Sequence, residues 1–115
     1  MADVLIVDDE PGLLELLKRF VLDEGYSVAT ATDGAIALSM MNAERPSLVL
    51  TDNMMPRLSG FELAASISTG GNATPVVIMS ANHASLRRPT SAVAVLAKPF
   101  DLDALLALVH RYCAA

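Results

Sequence analysis

The sequence predicts an α/β domain: a doubly wound, five-stranded parallel sheet with helices on both faces. Three observations carry that prediction. Short runs of β-branched residues and leucine recur without period-two alternation, which is how strands buried on both faces read. Between them lie segments with apolar residues at three- and four-residue spacing, the mark of amphipathic helices. The two kinds alternate, strand then helix, five times within 115 residues, which implies parallel strands joined by right-handed crossovers.

The first strand is Val4 to Val7. Pro11 suits a first helical turn, and Leu13, Leu16, Leu17 and Phe20 form the apolar stripe of a helix that stops at Gly25. Ser27 to Ala31 is a weaker strand, Asp33 is an N-cap, and Ile36 to Ala43 continues helically until Pro46. Leu48 to Thr51 is the third strand and Met54 to Gly60 a loop. Phe61, Leu63, Ala64 and Ile67 mark a helix over residues 61 to 68, broken by Gly70-Gly71-Asn72. Val76 to Met79 and Val93 to Leu96 are the fourth and fifth strands. Asp101 then caps a closing helix whose stripe is Leu102, Leu105, Leu106 and Val109.

Composition narrows the function. Hydrophobic residues make up 53% of the chain and charged residues 18%, with mean hydropathy +0.46, so disorder is excluded and one domain over residues 1–115 is expected. The longest purely apolar runs, Ala92 to Ala97 and Ala104 to Val109, are six residues, against the roughly 18 a membrane span needs. No basic segment precedes the first apolar stretch, and Cys113 is the only cysteine, so a cytoplasmic location is expected, with no membrane partner and no disulfide framework. The first 57 residues carry net charge −6 and the remainder +1. With a pI near 4.7, this domain is not expected to bind nucleic acid, which requires a clustered basic face. Neither Gly-x-Gly-x-x-Gly nor Gly-Lys-Ser/Thr is present, which speaks against a nucleotide site.

Ligand sites of open parallel sheets lie at the carboxyl ends of the strands. There the chain places Asp8-Asp9 after strand one, Asp52 after strand three, Ser80 after strand four and Lys98-Pro99 after strand five. Three carboxylates at close range repel one another unless a cation neutralises them, and an all-oxygen set with room for water suits Mg²⁺. A carboxylate beside Mg²⁺ can attack a phosphoryl group without first losing a proton. Asp52 is central for that role. Lys98 offers a point charge and Ser80 a hydroxyl to the phosphoryl oxygens. A plainer account has Asp8 and Asp9 capping the first helix, Ser80 in a turn and Lys98 at the surface; the joint placement argues against it. The Met40-Met41 and Met54-Met55 pairs read as core filling or loop packing, and His83 and His110 as surface residues.

The segments Val4-Leu5-Ile6-Val7-Asp8-Asp9-Glu10, Leu48 to Pro56 with Gly60, Val77-Ile78-Met79-Ser80-Ala81 and Leu96-Ala97-Lys98-Pro99-Phe100 together resemble the receiver domain of two-component response regulators. The resemblance covers essentially the whole chain. It implies a flavodoxin-like fold with strand order 2-1-3-4-5 and Asp52 as phosphoacceptor. It also implies a Mg²⁺ held by Asp9, Asp52 and the Met54 backbone carbonyl, with Asp8 holding a metal-bound water. Ser80 and Lys98 would bind the phosphoryl group, and the Lys98-Pro99 peptide would be cis. Met54 and Asn82 would flank the phosphoryl group. The implied donor is a phosphohistidine on a histidine kinase or phosphotransfer protein.

Two departures qualify the likeness. Family members usually carry an aromatic three residues before the lysine, and Val95 stands there. Ser80 to Lys98 spans 18 positions, shorter than usual by about a helical turn, and includes Arg87-Arg88-Pro89, so a fourth helix that is short, irregular or mobile is expected. The face formed by that segment, the fifth strand and the last helix is an expected docking patch for an unknown output protein or a second copy, giving a homodimer. The resemblance implies a stand-alone receiver, or a piece of a longer regulator or hybrid kinase, that is not an enzyme but promotes its own phosphotransfer and dephosphorylation. The alternatives are a phosphorylation-independent pseudo-receiver and, less favoured because nothing forms a substrate cap, a metal-dependent phosphohydrolase.

Overall fold

The central strands of the protein follow from runs of largely apolar residues that are buried on two sides. The structure is a computed structural model and describes residues 2–81, 92–98 and 101–113. Its elements are β1 (Val4–Val7), α1 (Pro11–Asp23), β2 (Val28–Ala31), α2 (Gly34–Glu44), β3 (Leu48–Asp52), α3 (Gly60–Thr69), β4 (Val76–Ser80), β5 (Ala94–Ala97) and α4 (Leu102–Cys113). The strands form one sheet in the order β2-β1-β3-β4-β5. All four neighbouring pairs are parallel. The short or irregular helix expected after β4, with Asn82, His83, Arg87, Arg88 and Pro89, lies outside the described residues, as do Pro99 and Phe100.

β1, β3 and β4 are buried along their whole length, while β2 and β5, at the edges, are half-buried. Alternate strand residues feed two cores, as the pleat requires. Leu5, Val7, Val49 and Ile78 pack under α2 and α3, and Val4, Ile6, Leu48, Leu50, Val77 and Met79 pack under α1 and α4. No described helix is long and apolar enough to cross a membrane.

Two helix stripes differ from the sequence expectation. In α1 the buried residues are Leu14, Leu17 and Val21, and Leu16 is 59% exposed. Residues 13, 14, 16, 17, 20, 21 and 22 are all apolar, so more than one helical stripe is available and contact with the sheet selects among them. In α4 the fully buried residues are Leu105 and Val109, whereas Leu102 is 40% exposed. The capping expectations fare better. The Asp33 carboxylate accepts from the Ile36 N–H at 2.8 Å, Pro11 sits in the first turn of α1, and Asp101 accepts from the Asp103 N–H at 2.9 Å. α3 gains a capping box that the sequence reading did not anticipate: Ser59 Oγ accepts from the Glu62 N–H and Glu62 Oε1 accepts from the Ser59 N–H.

Gly60 opens α3 and does not belong to the loop. A Cβ there would stand 2.8 Å from the Asp52 carbonyl oxygen and 3.0 Å from Asn53 Cα, so only glycine lets α3 start directly against the end of β3. At the opposite end of the sheet, Asp3 and Ser27 hydrogen-bond reciprocally. His110 is exposed as expected, but its Nδ1 pairs with the Tyr26 hydroxyl.

Candidate functional site

The strand order places β1 and β3 side by side with the chain running outward in both directions, so the topological switch point lies at their carboxyl ends. Asp8 follows β1 immediately and Asp52 is the last residue of β3. One carboxylate oxygen from each of Asp8, Asp9 and Asp52 lies within 4.8 Å of the others. Asp8 and Asp52 are buried, at 1% and 7% exposure, and Asp9 is exposed.

The electrostatics of this cluster are unbalanced. Burial pushes the Asp8 carboxyl above its ordinary value; the negative charges of Asp52 and Asp9 push the same way, against the Glu10 N–H and Lys98. Asp8 Oδ1 accepts from the Glu10 N–H at 2.9 Å. Asp8 Oδ2 is buried with no hydrogen-bond partner among the described residues. That bond reaches the residue before α1, and Glu10, the N-cap, makes no side-chain cap bond, so helix capping does not account for the pair. A buried oxygen lacking a partner, in a group of three carboxylates, fits a hard divalent cation.

The cationic counterpart comes from β5. Ser80 pairs with Ala97 in the β4–β5 register, and the Lys98 N–H donates to the Ser80 carbonyl at 2.8 Å. This carries Lys98 onto the rim, where its Nζ sits 2.7 Å from Asp52 Oδ1. Ser80 ends β4 and is buried. Met54 lies two residues beyond Asp52 with its side chain 72% exposed, so it fills no core, whereas Met41 is buried and Met40 and Met55 pack partly against the core. Val95 is half-buried against the core under α2 and α3. Pro99 lies outside the described residues.

The sequence reading passed over Asn53, which is buried at 7% exposure and holds the start of α3. Its signal is a polar side chain directly after a buried strand that ends in a carboxylate.

Fold and rim together define a doubly wound α/β domain with a carboxylate cluster and a paired lysine at its switch point. The family model for the response regulator receiver domain matches residues 4–110. The chain is 41% identical over 109 residues to the transcriptional regulatory protein GlrR of Escherichia coli, covering 90% of this chain and 24% of that protein. It is 37% identical over 108 residues to the response regulator MprA of Mycobacterium avium, covering 90% of this chain and 47% of that protein. The chain thus spans about a quarter to a half of the curated relatives it matches. Among solved structures, the Thermotoga maritima response regulator TrrA in complex with Mg²⁺-BeF superposes with a TM-score of 0.89 at 32% identity, covering 97% of this chain and 99% of that one. The Francisella response regulator 1452 receiver domain gives 0.90 at 28%, covering 97% and 96%. The chain belongs to the response regulator receiver domain family, whose general role is phosphorelay signalling in two-component systems.

Proposed function

We propose that Asp52 is the phosphoacceptor of a Mg²⁺-dependent transfer from a phosphohistidine on a histidine kinase or phosphotransfer protein. The observation that carries this is the Lys98 Nζ on Asp52 Oδ1 at 2.7 Å, beside carboxylates of Asp8 and Asp9 within 4.8 Å. An Asp52 oxygen forms the new bond to phosphorus while the phosphorus–nitrogen bond breaks, its electron pair staying on the imidazole, which takes a proton from solvent as it leaves. Lys98 neutralises the charge on the phosphoryl oxygens and the Ser80 hydroxyl donates to one of them. Asp8, Asp9, Asp52 and the Met54 backbone carbonyl are the residues that would hold Mg²⁺; when bound, it supplies charge neutralisation at both the carboxylate and the phosphoryl oxygens. The TrrA relative, solved with Mg²⁺-BeF, supports that ligand chemistry. The domain is a phosphoacceptor that promotes its own transfer and dephosphorylation, acting in the cytoplasm as one unit over residues 1–115.

Output runs through a population shift between two conformations and a change in protein binding. The face is β5 and α4, where Val93, just before β5, and Leu102 are 48% and 40% exposed; it takes an output protein or a second copy. Sedimentation giving a monomer with and without beryllofluoride sinks the self-association.

Intact mass after incubation with acetyl phosphate and Mg²⁺ tests the reading. A gain of about 80 Da that disappears in Asp52→Asn and in chelator is the expected result. Val95, in place of the usual aromatic, favours a second reading, a phosphorylation-independent interaction module. No mass gain, with beryllofluoride also failing to bind, would favour that module instead.

A further inference from the structure

Between the proposed acceptor and the residue whose carbonyl the reading assigns to the cation stands a buried amide. We infer that Asn53 is a positioning residue for the cation site: it clamps the base of the 53–60 arch so that Asp52 and the Met54 carbonyl are presented together. This rests on the receiver reading of Asp52 and Met54.

Four hydrogen bonds meet on this one residue. Its N–H donates to the Met79 carbonyl at 3.0 Å, which extends the β3–β4 ladder one residue past β3. Its carbonyl accepts from the Gly60 N–H and from the Met55 N–H, each at 3.1 Å. Its side-chain Oδ1 accepts from the Phe61 N–H at 3.3 Å. The first N–H groups of a helix have no partner within the helix. In α3 two of them, Gly60 and Phe61, are received by Asn53, and the next, Glu62, by Ser59.

Asn53 is therefore tied to β4 on one side and to α3 on the other. The close approach of Gly60 to the Asp52 carbonyl leaves this junction little slack. Fixing the Asn53 carbonyl fixes the plane of the Asn53–Met54 peptide, and with it the direction in which the chain enters Met54. The side-chain oxygen contributes what a backbone alone does not: a second tether to α3, one residue further along. An apolar residue of similar volume would fill the space and lack that acceptor. Partners that orient metal ligands in this way are worth about tenfold or more in metal affinity.

The test uses the full chain as wild type, Asn53→Leu, Asn53→Ser and Asn53→Asp, with Mg²⁺ alone titrated by calorimetry and acetyl phosphate labelling followed against Mg²⁺ in parallel. The expected result is that Asn53→Leu raises the Mg²⁺ concentration for half-saturation about tenfold. Labelling at saturating Mg²⁺ should still reach the wild-type level. Asn53→Asp retains an acceptor for Phe61 and should bind Mg²⁺ no more weakly than wild type. Asn53→Ser, whose hydroxyl is too short to reach, should lose affinity as Asn53→Leu does, and carries the test if the leucine variant fails to fold. Unchanged affinity in the leucine and serine variants overturns the inference alone, and so does an equal loss in the aspartate variant, which would make the role one of packing. A wild type that neither binds Mg²⁺ nor takes a phosphoryl group overturns the receiver reading and the inference together.

Discussion

At the amino ends of the strands, Asp3 and Ser27 exchange hydrogen bonds in both directions, the Cys113 thiol donates to the Asp3 carbonyl, and Tyr26 pairs with His110. At the carboxyl ends of the same strands, three carboxylates crowd within 4.8 Å, one buried oxygen has no partner among the described residues, and a lysine pairs directly with Asp52. One rim is closed by mutual satisfaction; the other stores repulsion. Burial and the neighbouring Asp3 push the Cys113 thiol up to about 11, so at neutral pH that end of the molecule is chemically quiet. Hydrogen-bond satisfaction and crowded charge are thus separated along the strand axis, and a cation would find three carboxylates to neutralise at the carboxyl end.

The comparison breaks most visibly at Gly60. Gly60→Ala brings a Cβ to 2.8 Å from the Asp52 backbone oxygen, and backbone at the end of a central strand has little freedom to yield. A loss of about 1–3 kcal/mol in urea unfolding is expected, together with weaker Mg²⁺ binding, since α3 must retreat from β3.

Asp8→Asn should move stability the other way. In chelator the variant is expected to be more stable than wild type by on the order of 1 kcal/mol, because a repelling carboxylate whose buried Oδ2 has no partner among the described residues is removed. The sign follows from linkage. A carboxyl whose folded pKa lies above its unfolded value favours the fold fully below the ordinary 3.8 and loses that contribution as pH rises through the raised folded value. Wild type in chelator should therefore lose stability across the range just above 3.8, and Asp8→Asn should lose less. Millimolar Mg²⁺ should raise the wild-type thermal midpoint and leave the variant nearly where it was. Equal midpoints with and without Mg²⁺ in the wild type would count against stored repulsion at this rim.

The smallest effect is expected at the quiet rim. Asp3→Ala removes the acceptor of the Ser27 N–H, at 3.0 Å in a partly exposed pair, and should cost about 0.5 kcal/mol. Mg²⁺ half-saturation should not move. A change in Mg²⁺ affinity from this substitution would show that the two ends are coupled through the strands.

Much of this was legible in the residues. The apolar runs of β1, β3 and β4 announce central strands because both their faces must be covered, and Asp8, Asp52 and Ser80, at or just beyond the strand ends, mark where each emerges at the rim. The helix faces were less legible. α1 offers apolar residues at overlapping spacings, and only contact with the sheet turned Leu14, Leu17 and Val21 inward and Leu16 outward. Likewise the role of Asn53 depends on α3 beginning within hydrogen-bond reach of it, which no local spacing encodes.

The sequence by itself determined the order of elements, the strand ends on which the charged residues fall, and the family, because periodicity and motif are properties of neighbours along the chain. Tertiary structure alone decided which carboxylate oxygen is buried with no partner among the described residues, which cation reached Asp52, and which amide accepts from the start of α3. Those outcomes depend on distances between residues far apart in sequence, as with Lys98 and Asp52 across 46 positions, and burial turns such distances into energy.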